Sequence, residues 1–202
     1  MKNLLKIFLL TFLFFQLFIG VGSAQSLLKK VQNKFNSIKD ISADFVQQTN
    51  GRESLKGKIK FKQKDKIRIE LGNIIIVSDG KTNRSYNKKR NKIIISSVDK
   101  ENPSVFSLRK FIEEYPQLSN VSEKREKNTF ILKIVPKKDS GLNFNYTELY
   151  FNTAYQIKEI FIKGAEYGSI MIMFINYKEN NGFKDSIFKI TPSKGTETID
   201  LR

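Results

Sequence analysis

The stretch Leu55-Lys56-Gly57-Lys58-Ile59-Lys60-Phe61-Lys62-Gln63-Lys64-Asp65-Lys66-Ile67-Arg68-Ile69-Glu70-Leu71 alternates two kinds of side chain. Lys56, Lys58, Lys60, Lys62, Lys64, Lys66 and Arg68 fall on one parity. Leu55, Gly57, Ile59, Phe61, Gln63, Asp65, Ile67 and Ile69 fall on the other. Successive side chains of a strand point to opposite faces, so this period of two sets an apolar face toward an interior and a cationic face outward. The apolar set breaks from Gln63 to Lys66, which marks a turn between two strands. The lysine row has two readings: protection of an outer face against edge pairing, or a docking stripe for a partner.

Outward from this stretch the same period recurs. It begins near Ile41 and is punctuated by turn signals at Asn50-Gly51, Asp79-Gly80, Lys88 to Asn91, Gly164 and Asn181-Gly182. Strands are predicted over 74–78, 83–87, 92–98, 129–135, 146–151, 156–163 and 169–177, with a last one around Ile187 to Ile190. About ten or eleven strands result, in a long antiparallel meander. Two segments have helical spacing instead. Leu28, Val31, Phe35 and Ile38 share one face behind Ser26 as cap. Asn102-Pro103 opens a second helix carrying Val105, Leu108, Ile112 and Tyr115, and Pro116 stops it. Phe111 widens the apolar face of this second helix and Phe106 lies off it, which suits a lid better than a simple packing helix.

The N-terminus reads as a secretory signal. Lys2 and Lys6 precede an apolar run from Ile7 to Ile19, and Gly22, Ser23 and Ala24 supply small cleavage-site residues. The run is short for a membrane span. Cleavage after Ala24 is expected, with residues 25–202 forming one exported domain. Two of the 36 basic residues and none of the 20 acidic ones lie in the leader, so the remainder carries a formal charge of +14. Export argues against nucleic acid as the partner of this charge and leaves anionic membrane surfaces or acidic proteins. No cysteine is present, so there is neither a disulfide nor a residue to acylate at the cleavage site.

Histidine is also absent, which excludes most acid–base, nucleophilic and zinc chemistry. Glu113-Glu114, Glu148 and Glu159 are the carboxylates available for an acid–base pair, and their contexts read as solvent-facing. No EF-hand spacing is present, and Gly80 lacks the spacing of a phosphate loop. No enzyme activity, cofactor or metal is expected. What remains is an excess of apolar strand faces around two helices. Either the helices plug a barrel permanently, or the plug lifts to admit acyl chains.

Ser42-Ala43-Asp44-Phe45-Val46-Gln47, Leu55-Lys56-Gly57-Lys58-Ile59, Lys66-Ile67-Arg68-Ile69-Glu70, Val77-Ser78-Asp79-Gly80-Lys81-Thr82 with Tyr86-Asn87, Asn102-Pro103, and Leu132-Lys133-Ile134-Val135-Pro136 resemble, in order and spacing, the LolA family of periplasmic lipoprotein carriers. The resemblance spans most of the chain after the leader. It implies an α+β fold: an incomplete antiparallel β-barrel with amphipathic helices as a lid over an apolar concave face. It also implies a carrier that takes acylated lipoproteins from an inner-membrane lipoprotein-releasing transporter to an outer-membrane receptor. The sequence departs from the family where an Arg-Pro or Lys-Pro step commonly latches the lid; Gln63-Lys64 stands there, and tryptophans common near Ile69 and Arg84 are replaced.

On this basis Ile59, Phe61, Ile67, Ile69 and Leu71 are expected to line the cavity, with Leu132, Ile134, Leu149, Phe151, Ile160 and Ile162 behind them. Val105, Leu108, Phe111 and Ile112 are expected to form the lid. The expected carrier is a monomer. A periplasmic lipid- or lipoprotein-sensing regulatory domain is the alternative, and a protein that docks through its lysine stripe is a third possibility.

Overall fold

The computed structural model describes residues 25–63, 65–98, 108–164 and 168–202. A helix, α1 (Leu27–Ser37), starts where Ser26 accepts a hydrogen bond from the Lys29 N–H, as its cap spacing requires. Twelve strands follow: β1 (Asp40–Thr49), β2 (Arg52–Lys62), β3 (Lys66–Leu71), β4 (Ile74–Ser78), β5 (Thr82–Asn87), β6 (Lys92–Ser97), β7 (Ser119–Glu126), β8 (Thr129–Pro136), β9 (Phe144–Phe151), β10 (Ile157–Gly164), β11 (Ser169–Glu179) and β12 (Glu197–Asp200). They form one sheet in the order β12-β6-β5-β4-β3-β2-β1-β11-β10-β9-β8-β7. Every ladder is antiparallel except β12 with β6.

The β1–β11 ladder joins the two halves of the meander, and β12 and β7 stay as unpaired edges, so the sheet is open. Six strand spacings separate β3 from β8, roughly 29 Å along a flat sheet. Ile67 and Ile69 of β3 nevertheless share one buried cluster with Leu132 and Ile134 of β8. The sheet therefore curls around α1 and the segment that follows residue 107. This is the incomplete barrel the resemblance implies, with twelve strands in place of ten or eleven.

The stretch 55–71 folds as its parity predicts. Ile59, Phe61, Ile67 and Ile69 are buried on the concave side, and Gln63 and Asp65 are turn residues between the strands. Leu55 shares that parity but is exposed, because β2 runs past the core toward the Asn50-Gly51 hairpin. The lysine row does not guard an edge, since β2 and β3 are interior strands. The chain's own C-terminal segment crosses it instead. Lys62 and Lys66 bind the Asp185 carboxylate at 2.7 and 2.6 Å, and Arg68 donates to the Ile187 carbonyl at 3.0 Å.

Two elements differ from expectation at this end. Asp185–Phe188 is a 3-10 turn, so no strand forms at 187–190; the last strand is β12, which pairs with β6. Phe188 is buried, as are Ile75, Val77, Tyr86 and Ile93, whose parity places them on the convex side of β4–β6. The tail thus makes a second, smaller apolar layer outside the barrel. It is anchored by Asp40, whose buried carboxylate accepts from the backbone N–H groups of Asn181, Gly182 and Phe183 at 2.6 to 3.1 Å.

The predicted second helix is described only from Leu108. Asn102-Pro103, Val105 and Phe106 lie outside the described residues. The visible part winds loosely, as a π turn over Lys110–Glu114 and then a 3-10 turn over Tyr115–Leu118 with Pro116 inside it. Pro116 therefore tightens the end rather than stopping it. β7 follows at once, and sequence patterning does not reveal it because only Val121 in Ser119–Glu126 is apolar.

Candidate functional site

The barrel interior is built from three sources. From the sheet, Ile59, Phe61, Ile67 and Ile69 face Leu132, Ile134, Leu149, Phe151, Ile160 and Ile162, and all are buried in one cluster. Leu71 packs against this cluster from its margin. From α1, Val31 and Phe35 enter, with the Phe35 ring 5.4 Å from that of Phe61. From the segment after residue 107, Leu108, Phe111, Ile112 and Tyr115 all point inward and are buried. These four stand at i, i+3, i+4 and i+7, the spacing that places side chains on one face of a helix. The π turn over Lys110–Glu114 keeps Phe111 and Ile112 buried, and Tyr115 is buried in the 3-10 turn that follows.

The expected cavity and lid residues thus come together, apart from Val105, which lies outside the described residues. Sequence reasoning leaves Val31, Phe35, Phe45, Tyr115, Phe144 and Ile172 out of the interior set, although all six belong to it. Their helical or alternating spacing is visible in the chain; which strands and helices meet is not. The Tyr115 ring lies 5.2 Å from Phe111, edge to face, and 5.6 Å from Phe144, so it ties the lid segment to the β9 wall.

Among the described residues the interior is closely packed. Where α1, the lid segment and β9–β11 meet, the cavity measures only about 10 Å³. A larger cleft of about 490 Å³ opens beside the lid segment, between Ile67, Val98, Tyr115 and Leu142. Polar contacts hold the segment that follows residue 107 at the rim. Arg109 Nη1 donates to Asp65 Oδ2 at 2.8 Å, and its Nε donates to Glu113 at the same distance. The Asp65 backbone is left-handed, with φ of 61°, and its Cβ lies so near Gly80 that a side chain there would approach it to 2.8 Å. The close turn at Gly80 therefore sets the position of the Asp65 carboxylate.

Gln63, at the step where the family's basic residue commonly stands, donates to the Ile38 carbonyl at 2.9 Å. It steadies the end of α1, while Arg109 and Asp65 hold the lid segment. Gln32 of α1 donates to the Ile112 carbonyl at 3.1 Å, joining helix and lid segment. Glu123 of β7 accepts from the first N–H groups of α1, Leu27 and Leu28, at 2.9 and 3.1 Å. Its charge opposes the positive end of the helix dipole.

Two of the four carboxylates considered for chemistry have structural partners. Glu113 binds Arg109, and Glu148 binds Lys133 and accepts from Tyr150. Burial raises the Glu148 carboxyl, but the Tyr150 and Lys133 bonds outweigh it and leave the group below its ordinary range. Burial lifts that of Glu159 above it. Among the described residues no helix is long and apolar enough to cross a membrane.

Comparison with known proteins agrees with this architecture. The family model described as outer membrane lipoprotein carrier protein LolA matches residues 36–191. An uncharacterised protein of Methanocaldococcus jannaschii is 27% identical over 97% of this chain, which spans 59% of that relative's length. A crystal structure of an uncharacterised conserved protein from Thermus thermophilus superposes with a TM-score of 0.56 at 16% identity, covering 86% of this chain and 96% of the other. A LolA superfamily protein from Nitrosomonas europaea superposes with a TM-score of 0.43 at 8% identity, covering 82% of this chain and 99% of the other. With its model matched from β1 through the tail that crosses the convex face, the chain belongs to the LolA family of outer membrane lipoprotein carrier proteins.

Proposed function

We propose that this protein is a periplasmic carrier that holds the acyl chains of lipoproteins inside the open barrel. Family membership supports a carrier, and the observation that carries the site is the apolar concave face covered by α1 and the lid segment. Because the described interior is closely packed, cargo would replace the lid's own side chains. The energies make such an exchange feasible. Burying Leu108, Phe111, Ile112 and Tyr115 contributes about 1.5–3 kcal/mol each, or roughly 6–12 kcal/mol together. One acyl chain of ~16 carbons gains about 12 kcal/mol on leaving water.

An inner-membrane lipoprotein-releasing transporter would supply cargo, and an outer-membrane receptor would take it. No strong polar site is needed, because apolar contact is non-directional. The first test is native mass spectrometry of protein recovered from the periplasm, followed by extraction of lipid. Bound acylated protein is the expected result. Leu108→Glu should abolish this binding while the barrel stays folded; a folded variant that still carries lipoprotein would remove the lid assignment, and wild-type protein without cargo in an exporting cell would remove the carrier.

A further inference from the structure

On the convex side, away from the closely packed interior, the C-terminal segment bridges the sheet without lying flat on it. A groove of about 520 Å³ remains between them. Lys60 and Arg68, a cross-strand pair on β2 and β3, line one wall. Lys88, just past β5, and Lys189, in the tail, line the others. Ile75 and Ile187 add apolar lining, and Ser186 and Thr191 line the same space.

The charges here do not cancel. Glu70 is the one carboxylate among the lining residues, and it is held by Arg68 at 2.7 Å and by Lys60 at 3.5 Å. Among the described residues neither Lys88 nor Lys189 has an ion-pair partner, and the side chains of Ser186 and Thr191 make no hydrogen bond. Asp185, the nearest acid on the tail, is taken up by Lys62 and Lys66. Four cations against one engaged carboxylate leave a net charge of +3 around a space with free hydroxyl donors. The groove's shape does not depend on Lys88 or Lys189: the Asp40 anchor holds one end of the tail, Arg68 holds it at the Ile187 carbonyl, and Tyr86 bonded to Ser193 at 3.1 Å holds the other end.

We infer that this groove is a binding site for a phosphate group, carried either by a small organic phosphate or by an anionic phospholipid headgroup. Cationic and hydroxyl side chains lining one space match a tetrahedral oxyanion. The apolar lining suits a glyceryl or acyl attachment better than a bare ion. The site is separate from the barrel interior, so cargo and phosphate would not compete.

The test uses the purified protein at constant ionic strength. Inorganic phosphate and glycerol 3-phosphate are titrated by calorimetry, and vesicles of phosphatidylglycerol or phosphatidylcholine are tested by co-sedimentation. Lys88→Ala with Lys189→Ala removes two exposed, unpaired charges and should leave the melting temperature unchanged. Lys29→Ala with Lys138→Ala removes the same charge elsewhere. Saturable binding that falls about tenfold or more in the first variant, and less than about twofold in the second, is expected. Binding of a soluble probe would identify a free organic phosphate or phosphate itself, and binding only to phosphatidylglycerol vesicles would identify the headgroup. Equal weakening in both variants, or no saturable binding to any probe, would overturn the site.

Discussion

Asp65→Asn should loosen the lid segment without unfolding the barrel. Asparagine is chosen because Asp65 has φ of 61°, which asparagine tolerates better than alanine. The substitution removes the charge facing Arg109 at 2.8 Å while both side chains stay about two-fifths exposed or less. A partly exposed pair of this kind contributes about 0.5–1 kcal/mol, so the open lid should become roughly two to five times more populated. Arg109→Ala also loses the i,i+4 pair with Glu113, a further ~0.3–0.5 kcal/mol, and should raise the open population about four- to twelvefold. Amide hydrogen exchange at Phe111, Ile112 and Tyr115 reports this opening directly, with β1 and β11 amides as the internal reference. The difference should shrink in high salt, where the pair is screened. Unchanged lid exchange in Asp65→Asn at low salt would refute the latch, and equal acceleration of the β1 and β11 amides would show global destabilisation instead.

Three further outcomes are expected. Gly80→Ala should lower stability by about 1 kcal/mol or more, because φ is +86° there and the new methyl would crowd Asp65; thermal melting measures it, and an unchanged melting temperature would mean that the turn relaxes freely. Acid should release the tail in two parts. Burial raises the Asp40 carboxyl, but hydrogen bonds from Phe183, Asn181 and Gly182 outweigh it and hold the group below its ordinary range, while Lys62 and Lys66 hold Asp185 down at about 2. A depressed carboxylate stabilises the fold above its unfolded value and loses that contribution as pH falls through its folded value, so proteolytic cutting within 183–202 should rise only below about pH 4. Cutting that rises near neutral pH would contradict the anchor. Glu123→Gln should destabilise α1 by about 0.5–1 kcal/mol through loss of a charged acceptor at its N-terminus, seen as faster exchange of the Leu27 and Leu28 amides; no change would mean that water replaces it without cost.

The sequence by itself determined the local grammar. The alternation from Leu55 to Leu71 specifies two strands and their inward set, because a pleated strand has only two faces. Asn50-Gly51 and Asp79-Gly80 mark turns because the backbone there must be left-handed. The spacing of Val31 and Phe35 specifies one buried helix face. Ile69, Leu132 and Ile162 could be picked as interior residues from parity alone, and all three are buried. The absence of histidine and cysteine narrowed the chemistry by composition alone.

Only the tertiary structure decided what meets across the sheet. The β1–β11 pairing joins residues more than a hundred positions apart, and no short period encodes it. β7 and β12 were invisible because edge strands with little buried surface carry no apolar alternation. The lysine row, open to several explanations as a pattern, is crossed by the chain's own tail because Asp40 turns that tail back over it and Asp185 meets two of its charges. The segment after residue 107 is tied to the rim by Arg109 and Asp65, residues 44 positions apart that a left-handed turn and a close glycine bring together. Side-chain periodicity reports the faces of single elements; the contacts between elements depend on how the whole sheet curls, and that is a property of all its strands at once.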